Sequence, residues 1–479
     1  MRVMGKFRRK HTAPAQQDLW LRPEEIVTGP HNAFYTKLAA LLEKVSFTET
    51  VQRICAPHYR LESREGGRPP AGLAVLMRML IVGFPEGIGS ERGITSRCAD
   101  SQAIRWFPGY SLKEETPDHS TFTVFRRGLP LEAFEALHAE VLRSLREHGL
   151  LRGRKLGIDS SVIEANASLS GLERRNSEES YREYVRGLAP DAGVDVSDPA
   201  AVARFDRTRA GRRTSNREWL NPDDPDARVG RTKSGAWDMI YKPEHIVDLE
   251  SGAVISAEIR HGDEGDTAGL ADRVAEAAGK VEAIHGEEHD AGSSFVLELA
   301  ADKGYHDGIE LAVIRHETGM RTVIPDPSRG RRRMDKLEKG VRAAVRAAGR
   351  AVATKSGKAL LRARGTHLER GFAHVLECGG LRRTYLRGRE NIARRYRCGI
   401  MAFNFTLLMR KLFGTGTPRQ MAAAGKAFCA LLRRLVAMAH ELRTAIHRAE
   451  RDFTQRFGGQ LTTRPIRVSW LEGCISTGS

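Results

Sequence analysis

Cysteine is scarce and scattered in this chain. Its 479 residues include six, at positions 55, 98, 378, 398, 429 and 474, and no two form a C-x-x-C pair. That spacing excludes a zinc module and a disulfide framework, and a reducing cytoplasm is the compartment it suits. Long apolar runs are missing as well. The best candidates, 73–84 and 400–409, are interrupted by Arg78, Gly83 and Asn404, far short of the ~20 residues a membrane helix needs. The basic opening, residues 1–10, has no apolar stretch after it, so a secretory signal is not expected there. A G-x-x-x-x-G-K-[ST] phosphate loop is absent, which removes the usual basis for ATP-driven work. Solenoid-period repeats are absent too.

What the chain has in excess is positive charge. Lys and Arg number 77 against 60 Asp and Glu, a net +17, with a pI near 9.8. Such a surplus points to a polyanionic partner, most simply nucleic acid. An acidic membrane surface is the weaker alternative, because no basic cluster flanks an anchor or insertion helix. A hydrophobic content of 41% is enough for a packed core without metal or disulfide staples. The length allows about three domains.

Periodicity divides the chain into a helical front, an α/β middle and a helical end. From about 15 to 150 the pattern is helical. A mostly apolar helix at 73–84 ends at Pro85, and a second at 90–104 has Ser90 as its cap. A third opens on Asp118, with Phe122 and Phe125 three apart. A fourth carries Phe134, Leu137, Val141 and Leu145 and stops at Gly149. At about 152 the pattern changes to a short β-like run, 155–163. A polar insert of loops and short helices follows, about 168–233, then a hairpin of 245–249 and 253–259. A helix over 266–284, a strand at 295–301, a helix at 308–318 and a strand at 321–324 come next. Arg-, Lys- and Ala-rich helical segments run from 335 to 376 and on to about 457, with a break at 414–418. The expected class is α/β, with domains at 1–150, 151–412 and 413–479. In the last of these, Phe428, Leu431, Leu432, Leu435 and Met438 form an apolar stripe that packing or a partner helix would satisfy.

Two acidic residues stand out because they fall on strands the pattern makes buried: Asp159 and Asp302. Aspartate is disfavoured in strands and rarely buried without a partner. A hard cation such as Mg²⁺, which takes one or two carboxylates with water and phosphate oxygens, would explain the pair. Glu369, in a later helix, is the candidate third ligand. Taken singly, each has an ordinary explanation as a strand-end cap or a solvated helix residue.

Around these residues the chain resembles the DDE transposases of bacterial insertion sequences, from about residue 15 to about 418. In the front the resemblance lies in GRPP at 67–70, GSER at 89–92, RWFPG at 105–109 and PDHSTFTVFR at 117–126. In the middle it lies in GIDSSVIEAN at 157–166, DDPDAR at 223–228 with the strand at 241–248, and ADKGY at 301–305. Beyond these stand ERGFAH at 369–374, GGLRR at 379–383, RGREN at 387–391 and Asn404. Any one of these is weak; the order of all of them is not. Some relatives carry a lysine about two helical turns after the glutamate. Here Leu376 stands in that region, with His374 the nearest polar residue.

The resemblance implies a ribonuclease-H-like mixed five-stranded sheet with flanking helices behind an all-helical N-terminal domain. It implies Asp159, Asp302 and Glu369 as the catalytic, metal-binding triad, holding two Mg²⁺ or Mn²⁺ ions. Two ions roughly 4 Å apart suit in-line displacement at phosphorus. The activity it implies is cleavage at element ends followed by strand transfer into target DNA. A stand-alone nuclease of the same fold and a catalytically silent, transposon-derived DNA-binding protein are the alternatives. The partners it implies are the terminal inverted repeats, the target DNA and a second copy of the chain, without membrane or ATP, in a cytoplasmic, nucleoid-associated setting. Candidate DNA contacts are Lys303, Tyr305, Arg331, Arg332, Arg333, His374, Arg382, Arg383, Arg387 and, in the front domain, Arg126. Asp307, close to the second aspartate, reads instead as a helix N-cap.

Overall fold

In a computed structural model, residues 30–59, 72–111, 113–210, 214–286, 295–328 and 333–457 are described. Among the described residues, seven α-helices make the front: α1 (Pro30–Lys44), α2 (Phe47–Cys55), α3 (Leu73–Glu86), α4 (Glu91–Asp100), α5 (Gln102–Trp106), α6 (His119–Gly128) and α7 (Leu131–Glu147). Ser90 and Asp118 cap α4 and α6 through their side chains, as their types and positions suggest. The single helix expected over 90–104 is two. Ser101 adopts an extended backbone between α4 and α5, at an Asp-Ser pair that competes poorly for helix. Helix α3 is mostly apolar and mostly buried, and its half-buried Arg78 donates to the Phe107 carbonyl and the Thr48 hydroxyl. No single helix among the described residues is long and apolar enough to cross a membrane.

The middle of the chain builds a mixed sheet from β1 (Lys155–Ser160), β2 (Ile163–Glu164), β5 (Arg228–Arg231), β6 (Trp237–Asp248), β7 (Val254–His261), β8 (Glu298–Ala300) and β9 (Arg321–Val323). A small pair, β3 (Glu173–Arg174) and β4 (Trp219–Leu220), lies in the insert with α8 (Tyr181–Leu188) and α9 (Pro199–Thr208). β6 runs antiparallel to both β7 and β1, whereas β1, β8 and β9 are parallel. Among the described residues the main sheet has seven strands rather than five. The two additional strands arise because β6 is 12 residues long. Its second half lies between β1 and β7, and its first half collects the short β2 and β5. Strand β8 is shorter than the 295–301 run, since it has partners on both sides only over Glu298–Ala300.

Helices α10 (Leu270–His285), α11 (Gly308–Thr318), α12 (Lys339–Ala353) and α13 (Lys355–Phe372) join and flank the strands. A π-helical segment, Ala373–Cys378, leads on from α13 toward α14 (Arg389–Phe413). Helix α10 begins at Leu270, later than the 266 read from periodicity, and this leaves 262–269 as a loop. Asp307 caps α11 by accepting from the Ile309 and Glu310 amides, as its sequence context indicates.

Helix α14 joins front and sheet. Its buried face closes around the whole helix between Arg395 and Met409, and it packs on α3, α7 and β7. Where it meets the edge strand β7, Asn404 substitutes for a neighbouring strand. Its Oδ1 accepts from the Val254 amide at 3.0 Å and its Nδ2 donates to the Val254 carbonyl at 3.0 Å. An edge left open would expose pairing groups, and a side-chain amide can satisfy both. The chain divides into two compact units, Met1–Met421 and Ala422–Ser479. The second contains most of α15 (Pro418–Phe457), one continuous helix with Phe428, Leu431, Leu435 and Met438 spaced three and four apart.

Candidate active site

Strands β1, β7 and β8 point the same way, so their carboxyl ends share one edge of the sheet, the place where open α/β sheets collect ligands. Each contributes an aspartate. Asp159 is the penultimate residue of β1 and pairs across to His245. Asp302 follows β8, and its Oδ1 accepts from the Gly304 amide at 2.7 Å, which starts a short 3₁₀ turn. Asp266 lies in the loop after β7. Its Oδ1 accepts from the Ser160 hydroxyl at 2.9 Å and pairs with Lys242 Nζ at 2.5 Å. Asp266 and Asp302 converge on Gly304, where a β-carbon would come within 3.1 Å of Asp266 Oδ2 and 2.9 Å of Asp302 Oδ1. A side chain there would push into both carboxylates.

The loop that presents Asp266 is held from below by a buried charge network. Glu244, on β6 opposite Ser160, receives Arg260 at 3.1 Å, Arg273 at 2.5 Å and the Tyr305 hydroxyl at 2.9 Å. Arg260 and Arg273 then donate to the carbonyls of Gly265, Asp266 and Ala268. Buried charges persist when they are paired and their remaining donors are used, and here those donors fix 265–268. Tyr305 is buried, and burial, the nearby Glu244, Asp266 and Asp159 all raise its phenol well above the ordinary range, against the Ser160 hydroxyl.

Burial pushes the Asp159 carboxyl up to about 6, with Asp302 and Asp266 adding to the shift and Arg364 and the Ser160 amide opposing it. Desolvation wins over the ion pair. Arg364, on α13, places a guanidinium nitrogen 2.7 Å from Asp159 Oδ2. Glu369, five residues further on, is exposed, about 140° around the helix from Arg364. Among the described residues, no group of three His, Cys, Asp or Glu side chains is disposed to hold a metal ion. Asp159 and Asp302 have the hard oxygen donors a Mg²⁺-type ion takes, but in this arrangement Asp159 already has a cation. The trio does not enclose an ion as it stands.

The remaining sequence candidates differ in exposure and in partners. Lys303, Arg333, Arg383 and Arg387 are exposed. Arg382 and Arg383 lie beside β2, with which their segment pairs. The Glu164 amide donates to the Arg382 carbonyl at 2.9 Å, and the Thr384 amide donates to the Glu164 carbonyl at 2.9 Å. Arg382 itself is tied to Glu377 at 2.7 Å, and Arg387 is paired with Asp223 at 3.0 Å. His374 is half-buried beside Phe403, and burial with Arg410 and Arg370 lowers its pKa.

Two candidates need correction. Tyr305, at 1% exposure, lies inside the protein because its hydroxyl is committed to Glu244. Arg126, also 1% exposed, pairs with Glu91 and donates to Asn391, so it joins α6 to α4 and α14 rather than facing solvent. Arg331 and Arg332 lie outside the described residues, as does the 67–70 motif. The acidic 223–228 motif is structural: Asp224 accepts from the Tyr241 hydroxyl at 2.6 Å and the Gly388 amide at 2.9 Å.

Sequence reasoning missed Asp266, Lys242, Glu244 and Arg364. The available signal for Asp266 was its position just past a strand, in the acidic, glycine-containing stretch 262–266. Arg364 had none, being one basic residue in a basic helix.

Fold and site together define a class: an α/β protein with a mixed sheet, whose carboxylates gather at the carboxyl edge of strands running one way. The front of the chain is more specific. Residues 23–128 match a family model described as a transposase domain (DUF772), a span that ends with α6, ahead of the sheet. No curated protein and no solved structure gives a significant match.

Proposed function

We propose that the protein is a DDE-type DNA transposase: it cuts phosphodiester bonds at the ends of its own element and transfers the freed 3′-hydroxyls to target DNA. The observation that carries this is the transposase-domain match at residues 23–128, joined to a carboxylate-bearing edge in the sheet that follows. A ribonuclease-H-like core belongs to the proposal. In its support, the principal strands lie in the order β7-β6-β1-β8-β9, with β6 antiparallel to its neighbours and β1, β8 and β9 parallel. The catalytic set is Asp159, Asp302 and Glu369, with Mg²⁺ or Mn²⁺ as the metal. DNA contact falls to the exposed basic residues at the same edge, Lys303, Arg383 and Arg387, in a protein whose charge of +17 favours a polyanion. A homo-oligomer follows from the need to bring two element ends together.

The test is a linear DNA fragment carrying the reading frame with its flanking sequence, incubated with purified protein and Mg²⁺. Breaks at fixed positions on both flanks, and joined products on a target plasmid, are expected. Asp159→Asn and Asp302→Asn should each reduce cleavage by on the order of a thousandfold while retaining binding to the same fragment. Normal cleavage by either variant removes that residue from the set, and intact flanks with wild-type protein overturn the proposal.

A further inference from the structure

We propose that Arg364 is a resident counter-cation of the carboxylate edge: it occupies the place beside Asp159 that a divalent ion would take, and DNA phosphate draws it away. The inference rests on the transposase reading above and adds to it an order of events in which DNA arrives before metal.

The ion pair is close, 2.7 Å, and enclosed, with the Arg364 side chain 13% and the Asp159 side chain 22% exposed. It is also the guanidinium's sole anchor among the described residues, and its Nε is buried without a hydrogen-bond partner. Neighbouring arginines differ. Arg260 holds Glu244, Glu264 and two carbonyls, and Arg273 holds Glu244 and two carbonyls. Those two are built in, whereas Arg364 is attached at one point by a long, flexible stem. A guanidinium and a divalent ion cannot share one carboxylate oxygen without strong repulsion. A phosphate offers the guanidinium a two-pronged anionic partner in exchange. Arg364 and Glu369 share α13, and α13 runs directly into the π-helical segment Ala373–Cys378. Such segments relax helical geometry and are frequent at functional sites.

The experiment is Mn²⁺ titration of the full-length protein by calorimetry, with and without a short DNA duplex. Arg364→Gln should bind Mn²⁺ about tenfold more tightly than wild type without DNA, Arg364→Lys should stay close to wild type, and Asp159→Asn/Arg364→Gln should lose the gain. The duplex should tighten Mn²⁺ binding to wild type and leave Arg364→Gln unchanged. A folded Arg364→Gln with wild-type affinity, or a gain that survives Asp159→Asn, overturns the proposal. Should Arg364→Gln not fold, the wild-type titration decides alone, and no effect of the duplex overturns it. Cleavage is read separately. A protein that cuts DNA but shows no gain refutes only the counter-cation, and a gain without cleavage refutes only the transposase.

Discussion

Asp159 sits on a strand, beside an arginine, and still holds its proton more tightly than an exposed aspartate, because burial penalises the charged form more than Arg364 rewards it. Its carboxyl is raised to about 6 from 3.8. The folded state therefore binds the proton more strongly than the unfolded state, and the sign of the linkage follows. The contribution to stability is full below about pH 4 and is lost as pH rises through about 6. In urea melts with chelator present, wild type should lose stability relative to Asp159→Asn between these limits and run parallel to it above them. A difference that stays constant from acid to neutral pH would contradict the shift. Asn404 makes the opposite case, a polar residue buried because all its groups are used. Asn404→Ala leaves the Val254 amide without a partner and its carbonyl with His138 alone, and should cost about 1–3 kcal/mol. A loss below about 0.5 kcal/mol would mean water reaches the edge of β7.

At the scale of elements, the edge depends on loops and helix starts as much as on strands. Asp307 caps α11 through two amides, and α11 packs on α10 and α12, behind the strands that carry the site. Asp307→Ala should cost about 1 kcal/mol and speed hydrogen exchange at the Ile309 and Glu310 amides; unchanged exchange there would show that the cap is redundant. The 262–269 loop is the more instructive element. Its backbone is held by Arg260 and Arg273, which both answer to Glu244, so a charge buried under the sheet sets where Asp266 stands at its rim.

At the scale of the molecule, α14 merges the front helices and the sheet into one core, running from Phe34 in α1 to Met409. The compact unit that contains this core ends at Met421. A chain ended there should keep a single cooperative unfolding transition with a midpoint close to that of the full chain. Loss of cooperativity in circular dichroism melts would show that residues beyond 421 complete the core.

Much of this was legible in order. Phe122 with Phe125, the caps Ser90, Asp118 and Asp307, and the alternation around Leu156 and Ile158 read directly as elements, because local periodicity and capping chemistry act over a few residues. Asp159 and Asp302 were legible as misfits, acidic residues where the pattern demanded apolar ones. Arg126 and Tyr305 were misread because type and neighbourhood suggested a surface. Their burial is decided by partners far away in the chain, Asn391 and Glu244. Asp266 and Arg364 were invisible for the same reason: they reach Asp159 from residues more than a hundred positions on, through a shared strand edge and a helix crossing beneath it. What the order of residues determined was which segments become helices and strands and where an ill-fitting charge lies. Which charges meet was left to the tertiary structure, since electrostatic contact depends on distance through space, and only packing sets that distance.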